Sequence, residues 1–292
     1  MAEQVLDLDV LCKKFGIAKN TMRNALPHNL DKIYTNFCMT RYDLGKYQSE
    51  LLNLMHDLLR ISHSLRSRIK DPEHLVEKVI RNVASRPQKY KIINDTNYYK
   101  IITDLIGFRI ILLSHNDWRP VHEKIISLFT NDPTLYIRDG ESMVEYYDRY
   151  SEESIHMIEQ PTVYVTSSVD RLKYEGSGLR VDNSKEGYSS IHYVIRYKMQ
   201  HFEIQVRTLF EEGWLEFDHK VLYPHDQGNE DKKILLAILA NMATAADRLI
   251  TFYDVVRFED KAATEDDENV VIPDPEEVKP PQDFRHRISS KY

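Results

Sequence analysis

Cysteine is nearly absent: the 292 residues hold two, Cys12 and Cys38. That is too few for a disulfide framework and fits a reducing compartment. Long apolar runs are lacking too. No N-terminal stretch has the length and composition of a secretory leader, and no window approaches the ~20 apolar residues of a membrane-spanning helix. A cytoplasmic protein without a membrane partner is expected. An excess of positive charge is missing as well. The formal net charge of −7 argues against a protein that coats nucleic acid through its overall charge. No internal repeat is present.

What is there is ordinary for a globular chain: 42% hydrophobic and 29% charged residues, enough to bury a core. The charge is unevenly spread. Residues 66–100 are rich in Arg and Lys, a stretch suited to a polyphosphate, whereas residues 259–277 are acidic and interrupted by Pro273 and Pro275.

The periodicity divides the chain into a helical N-terminal extension at 1–44, a body at 45–257 and an acidic, mobile tail at 258–292. Within the extension, residues 8–23 read as helix, turn at Gly16, helix. DNA readers share this pattern with many helical hairpins. A long helix is expected over 44–66. Asp71-Pro72 then opens another, with Asp as N-cap and Pro at the first helical position. Strands are expected at 107–113, 162–166, 191–197 and 202–207, between helices at 118–129, 209–222 and 231–256. This alternation gives an α/β or α+β body.

Four stretches carry chemistry. In Phe202-Glu203-Ile204-Gln205-Val206-Arg207-Thr208 the side chains alternate, so one face is core. The other face lines up Glu203, Gln205 and Arg207 about 7 Å apart. Such a row is either a solvated outer face or a metal–phosphate site, with the carboxylate on Mg²⁺ and the other two groups on phosphoryl oxygens. Asp104 stands before the apolar run 105–113, in which Arg109 is the lone charge. Unpaired charges are costly to bury, so Asp104 and Arg109 are expected to be ion-paired, metal-bound or at an open strand end. If Asp104 and Glu203 meet in space, they form a two-carboxylate magnesium site of the kind phosphoryl transfer uses. Arg68 and Lys70 precede a helix on which Lys78 and Arg81 share a face, as a solvated basic surface or a phosphate cradle. Finally, Gly187 permits a tight turn after which Tyr188 can present its ring to a purine.

Taken in order, Arg-x-Lys before a basic helix, Asp-x-x-Gly-x-Arg, Gly-Tyr-x-Ser-x-His, Glu-x-Gln-x-Arg-Thr and Trp-x-x-x-Asp-His resemble the synthetase domain of the RelA/SpoT family over about residues 45–225. The resemblance implies a mixed β-sheet flanked by helices, as in nucleotidyltransferases. It implies transfer of pyrophosphate from ATP to the 3′-hydroxyl of GDP or GTP, giving (p)ppGpp and AMP. It further implies Asp104 and Glu203 as catalytic Mg²⁺ ligands, with Glu203 also the base, and Arg68, Lys70, Lys78, Arg81 and Arg109 toward ATP. Lys185, Tyr188, His192, Gln205 and Arg207 fall to the acceptor. In the acceptor loop, residues 183–188 depart from the family's Pro-Lys-x-Asn-Gly-Tyr: Lys185 stands one place nearer the glycine and Glu186 replaces a neutral residue. A toxic relative that modifies adenosine nucleotides or the CCA end of tRNA is therefore the alternative, and a non-catalytic nucleotide sensor or DNA-binding regulator a more distant one. Arg171, Lys173 and Arg180 compete to stack on adenine. His56-Asp57 is a lone pair inside a helix, so synthesis without degradation is expected. A homo-oligomer or a protein regulator is compatible with the sequence.

Overall fold

A computed structural model of the chain describes residues 6–151, 153–166, 171–184, 189–221 and 230–265; at 219–221 and 254–265 it describes the backbone. Met1–Thr251 forms one compact unit and Phe252–Tyr292 a second.

Three helices come first: α1 (Leu8–Lys14), α2 (Lys19–Ala25) and α3 (Leu30–Leu54). The N-cap Asp7 of α1 accepts from the backbone N–H groups of Asp9 and Val10, satisfying two donors that a helix start leaves open. The long helix thus begins at Leu30 rather than near residue 44, and it ends at Leu54 rather than 66. A 3₁₀ turn at His56–Arg60 follows, and then strand β1 (Ser64–Ile69). The expected helix over 44–66 fails because Ser62, His63 and Ser64 break its apolar repeat, and the chain gains more by pairing as an edge strand. The expected division at 44/45 falls inside α3, whose Ile33, Phe37, Leu44 and Leu51 join one hydrophobic core with the sheet.

Next come α4 (Pro72–Ser85), α5 (Pro87–Tyr90), α6 (Tyr98–Ile101), β2 (Ile106–Leu112), α7 (Trp118–Leu128) and α8 (Met143–Asp148). They are followed by β3 (Ile155–Met157), β4 (Thr162–Val165), β5 (Arg180–Asn183), β6 (Ser190–Tyr197) and β7 (Gln200–Thr208). Helices α9 (Leu209–Val221) and α10 (Glu230–Glu265) complete the described chain. The tail was expected to lose periodicity after 258, yet α10 continues through Glu265; residues 266–292 lie outside the described residues. Contrary to the sequence expectation, Glu230–Tyr253 is long and apolar enough to cross a membrane by length and composition, with a mean hydropathy of 1.5. It also packs on the fold: Trp214 of α9 donates its indole N–H to the Leu236 carbonyl at 3.1 Å, beside buried Leu215 and Ala240.

The strands form one mixed sheet in the order β1-β2-β7-β6-β4-β5, with β3 also paired to β6. β2 and β7 run parallel at its centre; β1 joins β2 antiparallel, as β6 joins β7. Paired residues point to the same side of a sheet, so the register sorts the two faces. Leu65, Ile110, Val206, Ile191 and Val163 form one apolar row across five strands. Against that face pack α3, through Gln48 to Ser67 at 2.9 Å, and α7, through His122 to the Tyr193 hydroxyl at 2.9 Å. The adjacent row on the other face is Arg66, Arg109, Gln205, His192 and Thr162. The sheet is therefore flanked by helices, with chemistry concentrated on one side.

One end of the polar face is closed by α8. There Arg196 is fully buried, donating to the carbonyls of Tyr147 at 3.0 Å and Tyr150 at 3.3 Å. Burial, with Arg196 next to both rings, lowers the pKa of His156 to about 4 and of His201 to about 3. Both imidazoles are thus neutral in the folded protein. An unfolded chain binds protons on them below about pH 6.5, so stability falls as the pH drops, by roughly 2 kcal/mol per ring at pH 5. Urea unfolding at pH 7.5 and pH 5 should show this loss, and His201→Gln should remove about half of it. Equal losses in wild type and variant would mean that these rings do not set the acid limb.

Candidate active site

The N-cap of α4 places the basic helix. Asp71 accepts from the backbone N–H groups of Glu73 at 2.9 Å and His74 at 3.2 Å, and Pro72 fills the first helical position, as its sequence predicts. One face of α4 buries Leu75, Val76, Val79 and Ile80. Lys78 then reaches the carboxylate of Asp104, at 2.7 Å, while Lys70 just after β1 reaches the same Oδ2 at 2.8 Å. Asp104 is held just before β2. Burial opposes its charge, but the two lysines outweigh that and keep its carboxyl well below the usual range. Its Oδ1 is buried and has no hydrogen-bond partner.

Glu203 lies on β7 in register with Gly107 on β2 and, beyond it, Arg68 on β1. Its Oε1 accepts from His192 Nδ1 at 2.7 Å and its Oε2 from Gln205 Nε2 at 3.0 Å. Burial pushes Glu203 up, and the negative charge of nearby Asp104 adds to it, but the hydrogen bond and charge of His192 together with Lys78 hold its carboxyl below the usual range. Asp104 and Glu203 therefore feel each other across the β2–β7 pair. Gln205 passes the row on by accepting from Arg207, which also lies 3.5 Å from Glu212.

Arg109 is ion-paired, one of the alternatives its sequence left open, but its partner is not Asp104. Arg109 instead donates to Glu212 at 2.8 Å and to Glu216 at 2.5 Å, both on α9. The reason lies in the start of that helix. Thr208 and Glu211 form a reciprocal cap: Thr208 N–H donates to Glu211 Oε2 at 2.7 Å, and Glu211 N–H to Thr208 Oγ at 3.2 Å. This fixes α9 directly after β7, and Glu212 and Glu216, four apart, then share the face over the sheet. Sequence reading missed both glutamates; the signal was the Thr-x-x-Glu box itself.

Of the other residues singled out, Arg68 is exposed on β1, and Arg81 pairs with Glu77 on its own helix at 3.2 Å. Arg207 is buried beneath the row. Lys185 and Tyr188 lie outside the described residues. Among the candidates for adenine, Arg171 bonds Asn183 at 2.7 Å and Arg180 pairs with Asp182 at 3.3 Å. Lys173 lines a separate cavity against α10.

In chemical terms, Asp104, with an orphaned buried oxygen and two lysines, stands at the start of β2, and Glu203, with an imidazole, stands on the adjoining strand, near enough for the two charges to interact. Such an arrangement can hold a divalent cation and receive an anion with several oxygens.

A family model described as a region found in RelA / SpoT proteins matches residues 67–228, more than half of the chain. No curated protein matches. Among solved structures, small alarmone synthetase 1 from Bacillus subtilis is similar at 17% identity, covering 83% of this chain and 100% of that one, with a TM-score of 0.48. The same synthetase bound to its product pppGpp gives 17% identity, coverage of 84% and 100%, and a TM-score of 0.47. A GTP pyrophosphokinase family protein from Streptococcus pneumoniae gives 18%, coverage of 76% and 91%, and a TM-score of 0.46.

Proposed function

Because this chain belongs to the RelA/SpoT family, we propose that it transfers pyrophosphate from ATP to the 3′-hydroxyl of GDP or GTP, giving (p)ppGpp and AMP. The observation that carries this reading is Asp104 just ahead of β2 beside Glu203 on the neighbouring β7, with Oδ1 of Asp104 buried and unpartnered among lysines. An oxygen so placed is costly to leave empty and suits Mg²⁺, which Asp104 and Glu203 would hold. When bound, the ion neutralises charge on the phosphoryl oxygens.

The acceptor oxygen attacks the β-phosphorus, the bond from that phosphorus to the α,β-bridging oxygen breaks, and AMP departs in line. Glu203 takes the hydroxyl proton. His192, donating to Glu203 at 2.7 Å, fixes the orientation of that carboxylate. Lys70 and Lys78 hold Asp104 in place and are positioned to turn toward the incoming phosphates, joined by Arg68 from β1. Arg81 completes the basic face at its exposed edge. Arg109 and Arg207 act as positioning residues through Glu212 and Gln205. Lys185 and Tyr188 serve the acceptor. The reaction asks little else of the protein than alignment and charge.

Lys78→Ala should lower kcat/KM for ATP by about 10- to 100-fold, the worth of a charged phosphate contact. Unaltered ATP kinetics with a lower Tm would make the lysine structural. The overall reading is tested by incubating the protein and Mg²⁺ with ATP labelled at the β-phosphate and, separately, GDP, GTP, AMP or bulk tRNA. Label on guanosine nucleotides supports it. Label on AMP or tRNA alone would replace it with a toxic relative's activity, and no transfer at all would reject catalysis.

A further inference from the structure

A second cluster of ligating side chains lies away from the proposed catalytic pair. His115 follows β2, Glu211 sits in the first turn of α9 and Asp247 projects from α10. One ligand atom from each lies within 4.8 Å of the others. His115 Nε2 is 3.3 Å from Glu211 Oε1 and 3.7 Å from Asp247 Oδ2. Donor atoms bound at the usual zinc distances in a tetrahedron stand about 3.3 Å apart, so the three need little movement to share an ion.

An acidic cluster alone would say little. Here, however, the Asp247 side chain is 2% exposed and its Oδ1 is buried with no hydrogen-bond partner. Asp247 also lines a cavity of about 30 Å³ together with His115, Glu211, Lys173, Ser189 and Trp214, room for an ion and a water as fourth ligand. The other carboxylate oxygens are already braced by one residue. Thr208 donates its hydroxyl to Asp247 Oδ2 at 2.8 Å and its N–H to Glu211 Oε2 at 2.7 Å. Outer hydrogen bonds of this kind orient metal ligands.

We propose that His115, Glu211 and Asp247 form a second divalent-cation site, best suited to Zn²⁺, that fastens α10 to the sheet. One imidazole with two carboxylates favours zinc over magnesium, which binds through oxygen and keeps its waters. The ion ties three elements distant in sequence, so its role is to hold α10 in place rather than to take part in transfer.

The test uses the full chain carrying Glu203→Gln, so that the catalytic pair does not confuse the count. After chelation and dialysis, titration with Zn²⁺ should load one equivalent and raise Tm by ~3 °C or more. Co²⁺ in its place should give visible bands of tetrahedral intensity. Asp247→Asn and His115→Gln should each abolish the bands and the Tm rise. Should either variant fail to fold, the Co²⁺ spectrum of the parent protein still decides. A parent that binds neither Zn²⁺ nor Co²⁺ stoichiometrically overturns the proposal, as does binding undiminished in both variants.

Discussion

Glu203→Gln is expected to lower turnover by about a thousandfold, some 4 kcal/mol of transition-state stabilisation, while Tm stays near that of wild type. Glutamine keeps the volume and can still accept from His192. It loses the hydrogen bond from Gln205, since two amide donors would then face each other, but it also removes the cost of burying a charge. The two effects are each on the order of 1 kcal/mol and oppose one another. Asp104→Asn should be as inactive yet less stable, because Lys70 and Lys78, 2.8 and 2.7 Å from its carboxylate, would be left as adjacent cations without their counterion. That difference has a pH signature. Asp104 is depressed in the folded protein, chiefly by the lysines against the opposing effect of burial. Its stabilisation is therefore present above the unfolded carboxyl pKa of about 4 and is lost as the pH falls below it. The stability gap between wild type and Asp104→Asn should close along the same limb. Transfer assays with Mg²⁺ and labelled ATP give the first result, and urea unfolding at several pH values the second. Near-normal turnover in either variant would remove the carboxylate pair from the mechanism.

Phe202→Ala should cost about 3–5 kcal/mol of stability, the usual loss for emptying an aromatic site that cannot collapse. Phe202 is 0% exposed. Its ring lies 5.5 Å from Phe108 on β2, 5.5 Å from Phe129 at the end of α7 and 6.5 Å from Tyr197 on β6, all edge to face. The removed ring therefore leaves three elements without a partner, and edge-to-face pairs carry more than their buried area. Because Glu203 is the next residue and points the other way, the loosened strand should lower activity in parallel. Phe202→Leu should cost markedly less on both counts. A loss below ~1 kcal/mol in denaturant unfolding of Phe202→Ala would show that the layer behind the site is not part of the cooperative core.

Much of this architecture is local and so could be read in advance. The alternation at 202–208 marked β7 and sorted its faces, the apolar run after Asp104 marked β2, and Asp71-Pro72 marked the start of α4. Local signals fail where pairing decides. β1 has Leu65 and Ile69 as its apolar residues and reads as the end of a helix, because its stability comes from β2. The partners of Arg109 arrive from α9, more than a hundred positions later, so periodicity around Arg109 could suggest that it needed a carboxylate but not which one. Asp104 and Glu203 carried their chemistry in the sequence as separate motifs; only the parallel register of β2 and β7 brings them together. The cluster at His115 had no motif at all, since its three ligands come from three elements with unrelated spacing.

That parallel register has a kinetic corollary. Gly107 pairs with Glu203, so the contact that assembles the site closes a long stretch of chain, and such contacts form slowly because loop entropy is lost before they repay it. During synthesis, β1 and β2 can pair across α4–α6 long before β7 leaves the ribosome, which adds residues at roughly 5–20 per second. A growing or truncated chain that stops short of β7 would therefore hold Lys70, Lys78 and Asp104 but no Glu203, and the proposed transfer could not occur. The proposed site is in this way left incomplete until nearly all of the sheet has been made.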